Sequence, residues 1–394
     1  MSRLLDIGVT GLTTYQRALS TTGQNIANAG VEGYSRQEAL FETLQPQFDS
    51  GNFIGSGVGI ETIRRITDEL LVRQSFTDAS RLRELETLGA GIEQIDSLLS
   101  NEETGLSGAL SQLFASLQAV SESPTSRPLR QQVVNDAQGF ITRYQNIHDQ
   151  LQSIVAQTDG LLSGQVSSIN SIAAGIAELN LGIATAQAGQ SRDLPNDLLD
   201  QRDQLMRELA QKVSFTTSES DGMMNIFIAG GQPLVLGANT NRLNVVGNPN
   251  SGDGVGIAIQ VSGQQRIITD KLSGGEVGGV LQLRSVGVDQ AFNQLGLVQS
   301  LVADTFNALH KEGVDLNGNK GLDFFTPIND RAISLARVVP EFGNLGNDTV
   351  VSVTVDDVAS LRPSDYTLQI SSAGNLFSYT CLLYTSPSPR DLVI

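Results

Sequence analysis

The sequence predicts a mainly α-helical, multidomain rod of long coiled-coil-like helices, with β regions inserted within it and following it. Three observations carry that expectation. Aliphatic residues recur at three- and four-residue steps over unusually long stretches, the pattern of helices that pair side by side. Beyond residue 212 this spacing gives way to short runs divided by Asp-Gly and Gly-Gly, which read as strands and turns. The 394 residues are 40% hydrophobic and exceed what one core usually organises.

At the amino end Leu5, Leu12, Leu19 and Ile26 fall seven residues apart, with Gly8, Tyr15 and Thr22 at the intervening three-residue step. Together they describe a helix of about 25 residues carrying one narrow apolar seam. A seam this thin needs a partner in a distant segment or in another subunit. Residues 30–59 mix Gly, Pro46, Asp49, Ser50 and Asn52 with scattered apolar residues, so 38–62 is expected to be an extended linker. Helix is expected again from near Ile63, through Ile66 and Leu70 to a heptad Leu85/Ile92/Leu99 with Leu88/Ile95. A shorter helix over 106–120 should end before the breaker Ser123-Pro124.

The longest element runs over 130–188, through Phe140, Tyr144, Ile147, Leu151, Ile154, Thr158 and Leu161, then after a slip through Ile169, Ile172, Ile176, Leu179 and Ile183. As one helix it would be about 90 Å long at the usual rise, and the slip is of the kind that adjusts supercoil winding. Another helix follows Pro195, a residue suited to a first helical turn. Strands are expected at 213–215, 225–228, 233–236, 257–261 and 266–268, then a helix over 278–310. After Pro327 the runs 349–355 and 365–370 alternate as half-buried strands do, opening a further domain.

Lys and Arg total 25 against 42 Asp and Glu, a formal charge of −17 that repels nucleic-acid phosphates and anionic membrane surfaces. No run approaches the ~20 apolar residues of a membrane span, and Arg3, Asp6 and Gly8 break the pattern of a cleavable signal peptide. Such a chain is cytosolic or leaves the cell by a route that reads an uncleaved amino terminus. One cysteine, Cys381, and two histidines, His148 and His310, argue against disulfide frameworks and zinc sites. Residues 381–391 resemble the frame translation of a sequencing adapter, so 381–394 is expected to be a non-native tail on a gene interrupted after Thr380.

The run Asn25-Ile26-Ala27-Asn28-Ala29, followed by Gly33-Tyr34-Ser35-Arg36-Gln37, resembles the amino-terminal signature of flagellar rod, hook and junction proteins. Its Gly-Tyr-Ser-Arg-Gln ending is the form found in the FlgK family, with a departure at Val31-Glu32 where Thr-Pro is common. Two further blocks resemble that family: Pro195-Asn196-Asp197-Leu198-Leu199-Asp200-Gln201-Arg202-Asp203, and His310 with Gly313, Asp315-Leu316-Asn317-Gly318, Gly321 and Asp323-Phe324-Phe325. The resemblance implies an inner axial helix with its signature over 1–37, a long-helix domain with its β insertion over 63–325, and the start of a β-rich outer domain over 326–380. It also implies export unfolded through the flagellar type III apparatus without signal cleavage, and a structural place at the hook-filament junction. The implied partners are further copies in a ring, the hook protein, the next hook-associated protein and an export chaperone. Asn25, Asn28, Tyr34 and Arg36 become candidates for fixing the turn after the first helix, and Leu5, Leu12, Leu19 and Ile26 for packing between subunits and against a carboxy-terminal helix. Since the family builds its inner domain from both chain ends, a chain lacking that helix is expected to assemble poorly.

No catalytic, cofactor or metal site is expected. Asp315, Asn317 and Asn319 have the spacing that opens a calcium loop, but Lys320 and Thr326 stand where that loop needs Gly and Glu, which favours an Asx turn. His148 falls in the polar register of the long helix, and His310 closes another helix, where a cation suits the dipole. Asp197, Asp200 and Asp203 share one helical face, as an acid-base pair needs, yet Arg202 and Arg207 favour a solvated ion-pair network. Gly274-Gly275 and Gly278-Gly279 suit turns better than phosphate loops. The competing functions are another hook or rod subunit, and a secreted glycan-acting hydrolase that uses those carboxylates.

Overall fold

A computed structural model describes residues 2–49, 52–101, 105–188, 195–247, 255–338, 352–364, 367–370 and 377–380. The tail expected at 381–394 lies outside them. The chain divides into two compact units: 1–85, 164–244 and 257–278 form the first, and 86–163, 245–256 and 279–394 the second.

The first unit opens with α1 (Ser2–Ala27). Residues 38–62, expected as a linker, are largely paired: β1 (Gln37–Thr43) lies antiparallel to β4 (Val58–Arg65), and β2 (Gln47–Asp49) to β3 (Asn52–Ile54). Helix does not resume at Ile63, which pairs with Ala39 in the ribbon; α2 (Glu69–Leu99) starts where Asp68 Oδ1 accepts the Leu70 and Leu71 amides, at 2.9 and 3.2 Å. The alternation Val58, Ile60, Thr62 is strand periodicity, and it wins over the aliphatic count that suggested helix.

The rod helix α4 (Arg127–Ala188) passes through both units, and α5 (Asn196–Lys212) packs antiparallel on its second half. Glycines set that closeness: a Cβ on Gly175 would stand 2.9 Å from Leu205, and one on Gly182 3.6 Å from Leu198. Beside them β5 (Phe215–Ser220), β6 (Met223–Ile228), β7 (Gln232–Leu236) and β8 (Asn239–Thr240) form an antiparallel sheet. A second sheet holds β9 (Arg242–Gly247), β10 (Val255–Val261) and β11 (Gln264–Ile267). Two α4 asparagines tie strand ends to the rod as a neighbouring strand would. Asn170 exchanges bonds with both backbone groups of Leu243 at 2.8 and 2.9 Å, and Asn180 binds Met224 N, Met224 O and Gly237 O. At Gly274 and Gly275, with φ of +72° and +61°, the chain turns against Ser214 and Lys212 and enters α6 (Gly275–Gln282). Gly278 and Gly279 therefore lie inside a helix and do not form the expected second turn.

In the second unit the first half of α4 buries Val133, Ala137, Phe140, Tyr144, Ile147, Leu151 and Ile154 at alternating four- and three-residue steps. They pack with Leu113 of α3 (Leu106–Glu122) and with Phe292 and Leu295 of α7 (Asp289–Glu312). The α6 helix reaches α7 through a π-helical turn, Leu283–Val288. There Arg284 bonds the Asp159 carboxylate and donates to Val255 O at 2.8 Å. The α4 slip begins earlier than expected, directly after Thr158. Leu161 is 51% exposed while Leu162 is fully buried, and the inward register steps by four through Thr158, Leu162 and Val166 before returning to Ile169.

His148 is likewise inward, 6% exposed and edge-on to Phe292 at 5.3 Å, so its helix face is apolar despite the residue type. The run 349–355, expected as a strand, is irregular over its described residues, held by Val353 N to Ser334 O at 3.0 Å beside α8 (Arg331–Ala336). β12 (Thr367–Ile370) and β13 (Phe377–Thr380) pair as a hairpin. Among the described residues one helix, α4, is long and apolar enough to pass as a membrane span by length and composition, with a window of mean hydropathy 1.2 that departs from the expectation of no such run. Its isoleucine face is instead spent inside the protein, with Ile169, Ile172, Ile176 and Ile183 all buried.

Candidate assembly surface and its polar anchor

The face of α1 that packs on its own unit is not the leucine seam. Ile7, Thr14, Thr21 and Asn28 form a second seven-residue series offset by two positions, about 200° around the helix. Thr14 and Thr21 are buried at 5% exposure, and Thr14 Oγ1 donates to Val58 O at 3.0 Å. Gly57, with φ of +103°, brings the ribbon so near that a Cβ would stand 2.2 Å from Thr10 Oγ1. On the far side Leu5, Leu12, Leu19 and Ile26 are 68, 61, 70 and 73% exposed. Tyr15 on the same side is 61% exposed and lies 5.6 Å from Phe41 between ring centres.

The signature residues anchor this helix. Asn25 acts as an extra strand residue for Gln37: its Nδ2 donates to Gln37 O at 2.8 Å, and its Oδ1 accepts Gln37 N at 2.9 Å. The same Oδ1 accepts the Tyr34 hydroxyl at 2.8 Å. Asn28 is half-buried and its carbonyl accepts Val31 N, so the helix ends in a closed turn. Gly33 has φ of +87°, a conformation that favours glycine, and a Cβ there would lie 2.8 Å from Arg207 Nη2. The Arg36 side chain is exposed, and its carbonyl accepts Ile66 N at 2.8 Å.

Below that turn lies a carboxylate-guanidinium cluster that sequence reasoning placed differently. Asp200 and Asp203 bond Arg65 Nη1 at 2.8 and 2.7 Å, with all three side chains 12–16% exposed. Asp200 also accepts Ser35 N at 3.1 Å. The network is therefore mostly buried instead of solvated. Arg202 points away, 3% exposed, to Asn180 Oδ1 and Gly222 O, while Arg207 donates to Gln204. Burial alone would lower the Arg65 pKa, but its bonds and charges with Asp200 and Asp203 outweigh that and raise it. Burial, then the charges of Asp200 and Asp197, push the Tyr34 phenol up as well. Asn196 completes the joint by donating to Ile63 O at 2.8 Å and Gln37 Oε1 at 3.3 Å. Arg65 and Asn196 were missed; the signal available was the position of Arg65 at the end of an alternating run.

The other candidates settle locally. Asp315 Oδ1 accepts Asn317 N and Asn319 N at 2.7 and 2.8 Å, an Asx turn. His310 Nδ1 lies 2.6 Å from Leu322 O. Among the described residues no group of three or more His, Cys, Asp and Glu could hold a metal.

The first helix is thus tied down through Thr14 and Asn25, with its leucines left outward. Residues 5–34 match the family model "Flagella basal body rod protein". Residues 92–325, more than half of the chain, match "Flagellar hook-associated protein FlgK helical domain", and the chain belongs to that family, one of structural proteins and not of enzymes. Flagellar hook-associated protein 1 of Salmonella typhimurium is 32% identical over 373 residues, covering 93% of this chain and 66% of that protein. Its Escherichia coli counterpart is 31% identical over 387 residues, 97% of this chain and 69% of that one, and that of Bacillus subtilis 26% over 349, at 80% and 68%. The flagellar hook junction protein FlgK of Burkholderia pseudomallei superposes with a TM-score of 0.67 at 28% identity, over 81% of this chain and 55% of that structure. The chain thus spans about two thirds of the curated relatives it matches.

Proposed function

We propose that this chain is a structural subunit of the bacterial flagellum at the hook-filament junction, and that the outward seam of α1 joins it to neighbouring helices as subunits stack. The observation that carries this reading is the inversion of α1, whose Thr14 and Thr21 are buried while Leu5, Leu12, Leu19 and Ile26 are 61–73% exposed. Fully burying a leucine gains roughly 1.5–3 kcal/mol, and association costs about 4–15 kcal/mol. One seam is therefore marginal for a free pair and adequate in an array where each subunit has several neighbours.

On this reading residues 1–37 are the inner axial segment, 63–325 the long-helix domain and 326–380 the start of an outer region. The partners are further copies in a ring, the hook protein, the next hook-associated protein and an export chaperone, with no nucleic acid and no membrane insertion. Binding of the chain to isolated hooks, followed by sedimentation, tests the proposal. Leu12→Ser with Leu19→Ser should lower binding at least tenfold, and unchanged binding would overturn it.

The glycan-hydrolase alternative draws no support from the carboxylates. Both Asp200 oxygens are engaged, one by Arg65 and one by Ser35 N, so this carboxylate is a joint.

A further inference from the structure

The 394 residues hold one Asn-Gly dipeptide, Asn317-Gly318, and it sits in the turn after α7. The geometry of the turn calls for that pair. Asp315 Oδ1 accepts the Asn317 and Asn319 amides at 2.7 and 2.8 Å, and Asp315 Oδ2 accepts Asn319 Nδ2 at 2.9 Å. The chain then reverses through Gly318, whose φ of +81° is one that residues with a Cβ rarely adopt. Residues 311–320 are all exposed, so solvent reaches the dipeptide.

Next to glycine, an asparagine side chain meets little steric resistance to attack by the following backbone nitrogen. Gly318 N, once deprotonated, can bond to Asn317 Cγ; the Cγ–Nδ2 bond then breaks, ammonia leaves with the proton, and a cyclic succinimide remains. Water opens that ring at Cγ to give aspartate, or at the backbone carbonyl carbon of residue 317 to give isoaspartate. Water is the only co-reactant. The fold opposes the first step, since Gly318 N donates to Asp315 O at 3.1 Å and must surrender that bond before it can turn toward Cγ. Its release requires a local opening of the turn, which the three bonds of the Asp315 carboxylate make more costly.

We propose that Asn317 is a deamidation site of this protein and that Asp315 sets its rate. Isoaspartate inserts a carbon into the main chain between the bridge partners Val314 and Lys320, and it throws the bonds from Gly318 N to Asp315 O and from Gly321 N to Gly313 O out of register. The turn then cannot close as before. The aspartate product instead adds a second carboxylate two residues from Asp315. The reaction needs no partner chain and stands apart from assembly through α1.

The test incubates the folded full chain at mildly alkaline pH, then reads the amide-to-acid mass change in its peptides and labels isoaspartate with isoaspartyl methyltransferase. Conversion should fall on Asn317, while Asn319, which precedes Lys320 in the same turn, stays intact. Asp315→Ala should speed conversion about tenfold, as loss of the carboxylate's bonds allows, and Asp315→Asn, which keeps an acceptor, should lie between. In urea the three proteins should convert at similar rates, because no turn remains to restrain them. Equal rates in folded wild type and folded Asp315→Ala, or the same difference between them in urea, would overturn the role of Asp315. An Asn317 that stays intact in the folded chains while other asparagines convert would overturn the site.

Discussion

Arg65 and Asp200 stand 135 positions apart in the sequence and meet at 2.8 Å, joining the ribbon under α1 to the helix beside the rod. Asp203 holds the same guanidinium nitrogen at 2.7 Å, so one cation neutralises two carboxylates away from water. Removing one partner of such a group strands the other, which costs about 3–5 kcal/mol where a pair is buried. Arg65→Met should therefore lower stability in urea by about 3 kcal/mol, leaving two carboxylates facing each other. Asp203→Asn should cost less, because Asp200 remains. Equal losses from the two variants would show that the cluster does not act as a unit.

Asn25 closes three bonds with one amide, and each needs its particular geometry. Asn25→Asp keeps the acceptor and loses the donor to Gln37 O; Asn25→Leu loses all three. Amide exchange at Gln37 should quicken in the order wild type, Asp, Leu, with Asn25→Leu costing about 2–3 kcal/mol for bonds and desolvated groups together. Tyr34→Phe removes the hydroxyl's bond to Asn25 and should cost about 1 kcal/mol. If Gln37 exchanges equally slowly in all four proteins, the turn is held by something else.

His148 sits among apolar side chains of the second unit, and burial lowers its pKa despite the opposing pull of Asp149. The neutral ring is thus the folded form, whereas the unfolded chain takes up a proton near pH ~6.5. More protons bind the unfolded state, so stability falls as pH drops below about 6.5 toward the folded-state value, and this contribution is fully present above it. Urea unfolding at pH 7.5 and 5.5 should show a decrease that His148→Phe reduces. An undiminished decrease in that variant would assign the effect to other groups.

What could be read in advance depended on whether a residue's type announced its surroundings. The heptad of α1, the length of α4 and the strands after Val213 are carried by aliphatic spacing, and the fold follows it. The packing face of α1 was not legible, since Thr14 and Thr21 pass for solvent residues until a ribbon carbonyl is placed beside them. Leu161-Leu162 offers two candidates for one buried position, and spacing alone does not decide for the second. His148 was misplaced because a polar type outweighed its register. The partner of Asp200 was hidden for a different reason: nothing local connects an arginine at a strand end to a helix 135 residues later.

Gly89 and Gly91 offer a matched pair on α2. A Cβ on Gly91 would stand 2.2 Å from Leu283 Cδ2, while one on Gly89 meets nothing within 4 Å. Gly91→Ala should destabilise the protein by about 1–3 kcal/mol through overpacking. Gly89→Ala should stabilise it by roughly 0.5–1 kcal/mol through helix propensity. Thermal unfolding of both variants checks the sign, and destabilisation by both would mean that the helix needs flexibility at this point.

The α1 seam yields the most direct separation of stability from assembly. Leu5, Leu12, Leu19 and Ile26 are more than 60% exposed, so replacing them removes little burial within the chain. Surface changes away from caps and buried networks usually fall within about 0.5 kcal/mol, and Leu12→Ser with Leu19→Ser should leave urea unfolding almost unmoved. Thr14→Leu does the reverse: it destroys the bond to Val58 O and forces a larger side chain into a buried position, which should cost about 1–3 kcal/mol. Hook binding should respond in the opposite order, with the serine pair losing it and Thr14→Leu losing it only as far as the helix detaches. If the serine pair unfolds the first unit, its leucines already face a partner inside the chain; if it folds normally and still binds hooks, the seam is not where subunits meet.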